Sequence, residues 1–237
     1  MSEKDYRKLY RAQDKVLLKL KQVLSSFYLT GGTALGRFYL NHRFSEDLDF
    51  FMNQNDAFHS TVKNIEKVLL EKFYLVKNQS IVYEDFVRYY IEDSDTVLKI
   101  EFVNDISYRC GTLNTYQYGL VDTPINILTN KLTAIVGRDE PKDLFDIFSL
   151  AIHYRFNWME IFNEVRNKAI INEIDVEQRI KSFPVQLLQK VDWHIQKVDP
   201  DYVKNAIQTI ANDFFLGSDN SLGANKPAIN DAVVISI

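Results

Sequence analysis

Residues 27–51 constrain this chain more than any other stretch. Phe27-Tyr28-Leu29-Thr30 reads as an apolar strand, Gly31-Gly32 as a turn, and Thr33–Leu40 as a short helix. After Asn41-His42-Arg43-Phe44-Ser45-Glu46-Asp47, the segment Leu48–Met52 reads as a second strand. Side chains alternate faces along an extended strand. Asp47 and Asp49 therefore share one face, while Leu48 and Phe50 face the core. Two neighbouring carboxylates repel each other unless a cation sits between them. Gly31 and Gly32 carry no side chain, so their N–H groups can approach a phosphate at the start of the helix. Either half alone has an ordinary reading, as a turn or as solvated acidic surface. In this order, with Asp47 fifteen positions after Gly32, they leave room for a helix and a return to the sheet. The combination points to chemistry on a nucleotide.

The rest of the chain reads as mixed α and β. Residues 5–25 place Leu9, Val16, Leu17, Leu20 and Leu24 at helical spacing. A helix over about 57–72 follows the second strand, then short strands at Phe73–Lys77 and Ile81–Glu92. In Val97-Leu98-Lys99-Ile100-Glu101-Phe102-Val103, Leu98, Ile100 and Phe102 share one face and Lys99 and Glu101 the other. Glu101 is a candidate third carboxylate, with a solvent-facing residue as the alternative. Lys99 is a candidate to neutralise a carboxylate beside it. A polar segment over 104–119 leads to a short strand Gly119–Asp122 and a helix over 125–137, with Pro124 at its start. Pro141 opens the next helix. Three further apolar stripes, starting at Trp158, Ile180 and Val203, predict more helices that pack as core. The Gly/Asn/Ser-rich stretch 217–230 predicts a mobile tail, and Ala232–Ile237 either adds to a sheet edge or is loosely held.

Gly31-Gly32-Thr33-Ala34-Leu35 and His42–Phe51 together resemble the opening motif of nucleotidyltransferases with the polymerase-β-like fold. More narrowly they resemble the AbiEii/AbiGii branch of abortive-infection toxins. Lys131, Arg138 and Lys142-Asp143-Leu144-Phe145-Asp146 are similar to that family's downstream lysine and Arg-x-x-x-Lys-Asp-x-x-Asp motifs. The resemblance implies an α+β fold: a nucleotidyltransferase domain with a mixed sheet over residues 1–155, then a helical bundle with its tail over 156–237. It implies that Asp47 and Asp49, with Glu101, hold Mg²⁺, Mn²⁺ being the alternative. Hard oxygen ligands and a triphosphate both favour such ions. It further implies that Gly31, Gly32 and Thr33 hold the phosphates of an NTP, with Arg43, Ser45, Arg138, Lys142 and Asp143 beside them. Lys131 would neutralise the leaving group. Asp146 would orient that lysine or the incoming hydroxyl. The implied acceptor is an RNA such as a tRNA 3′ end, and the implied partner a cognate antitoxin. A protein or small-molecule hydroxyl, or a nucleotide-binding module without turnover, remains the alternative.

The single cysteine, Cys110, excludes an internal disulfide and fits a reducing compartment. No apolar run is long enough to span a bilayer, and the charged start is no signal peptide. A cytoplasmic location follows as the expectation. Net charge is −4, so no global basic field marks a nucleic-acid binder. The first helix is nevertheless rich in Lys and Arg, which suits either phosphate contact or a solvated face.

Overall fold

A computed structural model describes residues 5–24, 26–195 and 198–235. Helix α1, Tyr6–Leu20, begins where the Asp5 carboxylate accepts the N–H groups of Arg7 and Lys8. Strand β1, Tyr28–Thr30, runs straight into helix α2, Gly31–Leu35, which continues as a wider π turn over Gly36–Leu40. Helix geometry thus begins at the glycines themselves, earlier than the apolar pattern predicts. Strand β2 is Leu48–Asn53 and helix α3 Phe58–Leu70.

The next stretch holds four strands, β3 Tyr74–Leu75, β4 Ile81–Val82, β5 Phe86–Asp93 and β6 Thr96–Asp105. The strand expected over 81–92 is two, because Val82 and Val87 pair across a tight turn. Strand β7, Asn114–Tyr116, lies in the polar segment that carried no strand signal, and pairs with β8, Gly119–Val121. Its three residues alternate no apolar face, which is why the pattern misses it. Helices α4 (Pro124–Gly137), α5 (Pro141–His153), α6 (Trp158–Arg166), α7 (Glu173–Lys181) and α8 (Pro200–Leu216) complete the chain.

The strands form one mixed sheet in the order β3-β5-β6-β2-β1-β8-β7, with β4 on β5. β2 lies antiparallel to β1 and parallel to β6, so Asp49 stands between Thr30 on one side and Glu101 on the other. Leu48, Phe50, Leu98, Ile100 and Phe102 are buried on the opposite face, as alternation requires. The α+β class with a mixed sheet is therefore as expected. Buried side chains from both sides of residue 155 belong to one cluster; Phe145, for example, meets Trp193 with ring centroids 5.2 Å apart.

The stripe that begins at Ile180 is interrupted near Pro184, as its sequence suggests: α7 ends at Lys181 and a 3-10 turn follows over Val185–Lys190, since Pro184 has no N–H to continue a helix. The segment expected to be a mobile tail is instead pinned. Asn220 is buried and donates from Nδ2 to the carbonyls of Ala151 and Tyr154, both at 2.7 Å. Short 3-10 turns follow at Ser221–Gly223 and Ile229–Asp231. Of the apolar end 232–237, positions 236 and 237 lie outside the described residues. Residues 232–235 form no strand, although Ile235 N–H donates to the Phe38 carbonyl at 2.9 Å. Among the described residues no helix is long and apolar enough to cross a membrane.

Candidate active site

A cavity of about 360 Å³ opens at the C-terminal end of β1, where the strand turns into α2. Thr30, Gly31 and Gly32 form one wall, Asp49 and Glu101 the floor, and Lys131, Arg138 and Lys168 the far side. Gly31 has φ +69°, and a Cβ there would come within 2.7 Å of the Asp49 carboxylate. Gly32 has a different constraint. A Cβ on it would lie 2.2 Å from a guanidinium nitrogen of Arg43. The two glycines are thus required by what stands behind them as well as by any ligand in front.

Asp49 is half-buried, and its carboxyl is pushed up to about 7 by burial, then by the neighbouring charges of Asp47 and Glu101. Burial also opposes the charge on Glu101, but Lys99 and Arg88 outweigh it and keep that carboxyl below its ordinary range. Arg88 Nε donates to Glu101 at 2.6 Å. Lys99 Nζ lies 2.8 Å from Asp47 and 3.3 Å from Glu101. Among the described residues no three His, Cys, Asp or Glu side chains are grouped as a metal would need. The donor chemistry still suits Mg²⁺ or Mn²⁺. Asp47 and Asp49 offer hard oxygens, and the raised Asp49 carboxyl marks negative charge that a divalent cation would relieve.

Behind the cavity lies a buried charge network. Asp146 is fully buried and receives Arg43 Nε at 2.6 Å, Arg43 Nη2 at 2.8 Å, Lys131 Nζ at 2.8 Å and His42 Nε2 at 2.8 Å. Burial alone would raise its pKa, but Arg43 and Lys131 hold it well below the ordinary range. Asp143, also buried, receives Lys131 at 2.7 Å and Arg138 Nε at 2.6 Å. Burial works against the Lys131 charge, and Asp146 and Asp143 more than restore it. The i, i+3 spacing of the two aspartates on α5 puts both on the side facing α4, where Lys131 and Arg138 are carried.

This geometry sorts the residues singled out by sequence. Gly31, Gly32, Asp49, Glu101, Lys131 and Arg138 line the cavity; Asp47 does not, and is paired with Lys99. Thr33 does not present its hydroxyl to a ligand; it is buried and donates to the Asp47 carbonyl. Arg43 spends its donors on Asp146 and on the Phe44 carbonyl at 2.9 Å, which leaves buttressing of Gly32 as its place. Ser45 is buried, with its backbone bonded to Tyr10 and Gln13. Lys142 reaches Glu46 at 3.3 Å and does not line the cavity. Asp143 and Asp146 are buried, do not line the cavity, and pair with Lys131, Arg138 and Arg43.

Two contributors escaped the sequence. Lys168, just past α6, lines the cavity with its ammonium bonded to Asn126, Thr129 and Asn130 at 2.5–2.6 Å. No motif surrounds it, so nothing in the sequence marks it. Trp193 clamps the loop before β2: its carbonyl accepts the Phe44 N–H at 2.8 Å, and its ring stands 5.8 Å from the Arg43 guanidinium. Its aromatic type among charged neighbours is the only signal.

The family model described as nucleotidyl transferase AbiEii toxin, type IV toxin–antitoxin system, matches residues 17–187. An uncharacterized protein of Aquifex aeolicus, aq_aa25, is 27% identical over 193 residues, covering 74% of this chain and 82% of that protein. The crystal structure of JHP933 from Helicobacter pylori matches with TM-score 0.58 at 22% identity, covering 89% of this chain and 92% of that one. A second solved H. pylori protein matches with TM-score 0.56 at 24% identity, over 88% and 92% of the two chains. These two likenesses concern the fold. The family match covers well over half of the sequence and takes in the glycine turn, the carboxylate strand and the Lys131–Asp146 helices. The chain belongs to the AbiEii family of nucleotidyltransferase toxins.

Proposed function

We propose that the cavity binds an NTP with Mg²⁺, or Mn²⁺ in its place, and transfers the nucleotide to an RNA hydroxyl such as a tRNA 3′ end. A cognate antitoxin would hold this activity in check. The observation that carries the reading is the convergence of Gly31, Gly32, Asp49, Glu101, Lys131 and Arg138 on one cavity. In this reading the acceptor oxygen attacks the α-phosphorus, the bond from that phosphorus to the β-phosphate oxygen breaks, and pyrophosphate leaves. The Gly31 and Gly32 N–H groups face the phosphates at the start of α2. Asp47 and Asp49 would hold the metal, with Glu101 available as a third oxygen donor. The ion supplies charge neutralisation of the triphosphate and a lowered pKa for the attacking hydroxyl. Lys131 and Arg138 place positive charge where negative charge develops on the leaving group. Asp143 and Asp146 fix the direction in which those cations point.

The test is incubation with each labelled NTP, Mg²⁺ and total cellular RNA, resolved on a gel. Label on RNA, lost in Asp49→Ala and in Asp47→Ala with the circular dichroism spectrum unchanged, is the expected result. Label on protein would move the acceptor to a protein hydroxyl, and label nowhere would remove the transfer reading.

A further inference from the structure

The carboxylates at the floor of the cavity already have a cation among them. Asp49 pairs in register with Glu101 across β2 and β6, and two residues earlier on each chain segment Lys99 meets Asp47. Lys99 and Glu101, two apart on β6, share the face that carries the cavity floor. The Lys99 ammonium bridges the strands, 2.8 Å from Asp47 and 3.3 Å from Glu101. Arg88 from β5 adds a second positive charge on the far side of Glu101. Asp47 and Glu101 are therefore already paired with cations, and one of these, Lys99, lies where their oxygens converge, next to Asp49 in the sheet register.

We propose that Lys99 is a built-in counter-cation that keeps the carboxylates from binding divalent metal alone, so that metal is taken up together with the nucleotide's triphosphate. The inference rests on the reading of Asp47 and Asp49 as metal ligands. A lysine suits this task better than an arginine would. Its charge is compact and its four-carbon stem is flexible, and about a quarter of its side chain is solvent-exposed, so it can swing clear. Arg88 has a planar fork already seated on Glu101 at 2.6 Å and stays there. A free metal ion must displace the ammonium and recover only the carboxylates. An ion that arrives on a triphosphate brings further oxygens, and the displaced ammonium gains phosphate charge to face. The resting enzyme then keeps the negative charge of its own floor compensated, and the cost of moving Lys99 is met only when substrate is present.

Mn²⁺ uptake by the protein without nucleotide reads this out, the free ion being counted by its paramagnetic resonance signal. Lys99→Met and Lys99→Gln are both used, so that one misfolded variant does not end the test. Each is expected to bind the first Mn²⁺ about tenfold or more tightly than the wild type, the scale of removing one adjacent unit charge at partial exposure. Asp49→Asn placed in the Lys99→Met background is expected to erase that gain. Thermal melting adds a second readout: Lys99→Met should melt lower than wild type in EDTA and recover more on Mn²⁺ addition. Unchanged Mn²⁺ affinity in both variants, with wild type still taking up Mn²⁺ in an Asp49-dependent way beside a non-hydrolysable NTP, would overturn the role of Lys99 and leave the metal ligands standing. No Asp49-dependent uptake under any condition would overturn both.

Discussion

Lys131 rests on two buried carboxylates, and that changes what its replacement does. A surface lysine would tolerate Met with little loss of stability. Here Lys131→Met leaves Asp143 to Arg138 and Asp146 to Arg43, so neither acid is stranded. The expected cost is about 2 kcal/mol, below the roughly 3–5 kcal/mol of an abandoned buried charge. Nucleotide transfer should fall about a hundredfold or more, the scale of losing one transition-state donor. Melting curves together with rates taken well below the melting temperature separate the two effects. Asp146→Asn should cost more stability than Lys131→Met, because Asp146 is the acceptor shared by Arg43 and Lys131. If Asp146 acts through Lys131, the double variant should lose little rate beyond either single one.

The same network sets an acid limit. Asp143 and Asp146 are both held below the ordinary value of 3.8 in the folded protein. In that range the unfolded chain binds more protons, so stability rises with pH. The contribution is fully present above about pH 4 and is lost as pH falls through the lower folded values. Urea titrations of the wild type at successive pH values below 4 should show midpoints falling steadily, and Asp146→Asn should flatten that fall.

At the scale of elements, strand alternation was the most legible signal. It placed Asp49, Glu101 and Lys99 on one face and their apolar neighbours on the other, because a period of two admits no third arrangement. What it could not give was which strands lie side by side. The Asp49–Glu101 pairing depends on the β2–β6 crossover and the Asp146–Arg43 contact on how α5 packs behind α2. Charged residues in a motif also gave no sign of whether they face the ligand or the interior. Arg43 and Asp143, expected beside the nucleotide, are buried in the fold.

Helix α1 carries its own prediction. Its Lys15 and Lys19 are paired with Asp93 and Glu71, while Arg7, Lys8 and Arg11 are exposed. Those three lie on the turns whose inner face holds the loop before Asp47, through Tyr6 stacked on Phe44 and the Tyr10 hydroxyl at Ser45. Charge reversal at Arg7, Lys8 and Arg11 should weaken RNA binding and flatten its salt dependence, since fewer counterions are released. A salt titration of RNA affinity checks this, and an unchanged slope would return the helix face to plain solvation.

For the whole molecule, the buried cluster that crosses residue 155 bears on cooperativity. Trp158 and Trp193 report on the later part of the chain, and far-ultraviolet dichroism weights all helices and the sheet. Their urea transitions should coincide if the two parts unfold as one unit. Separated midpoints would support a division into two independent domains near residue 155.

The Phe44–Trp193 bond has a consequence in the order of synthesis. The glycine turn, the loop before β2 and the carboxylate strand are made early, while their clamp belongs to a segment translated much later. A nascent chain that has emerged only as far as α5 holds the Gly31–Asp49 turn, Lys131 and Asp146, but not Trp193, which closes the loop over Arg43. A toxin built this way is assembled as a finished cleft only late in its own translation.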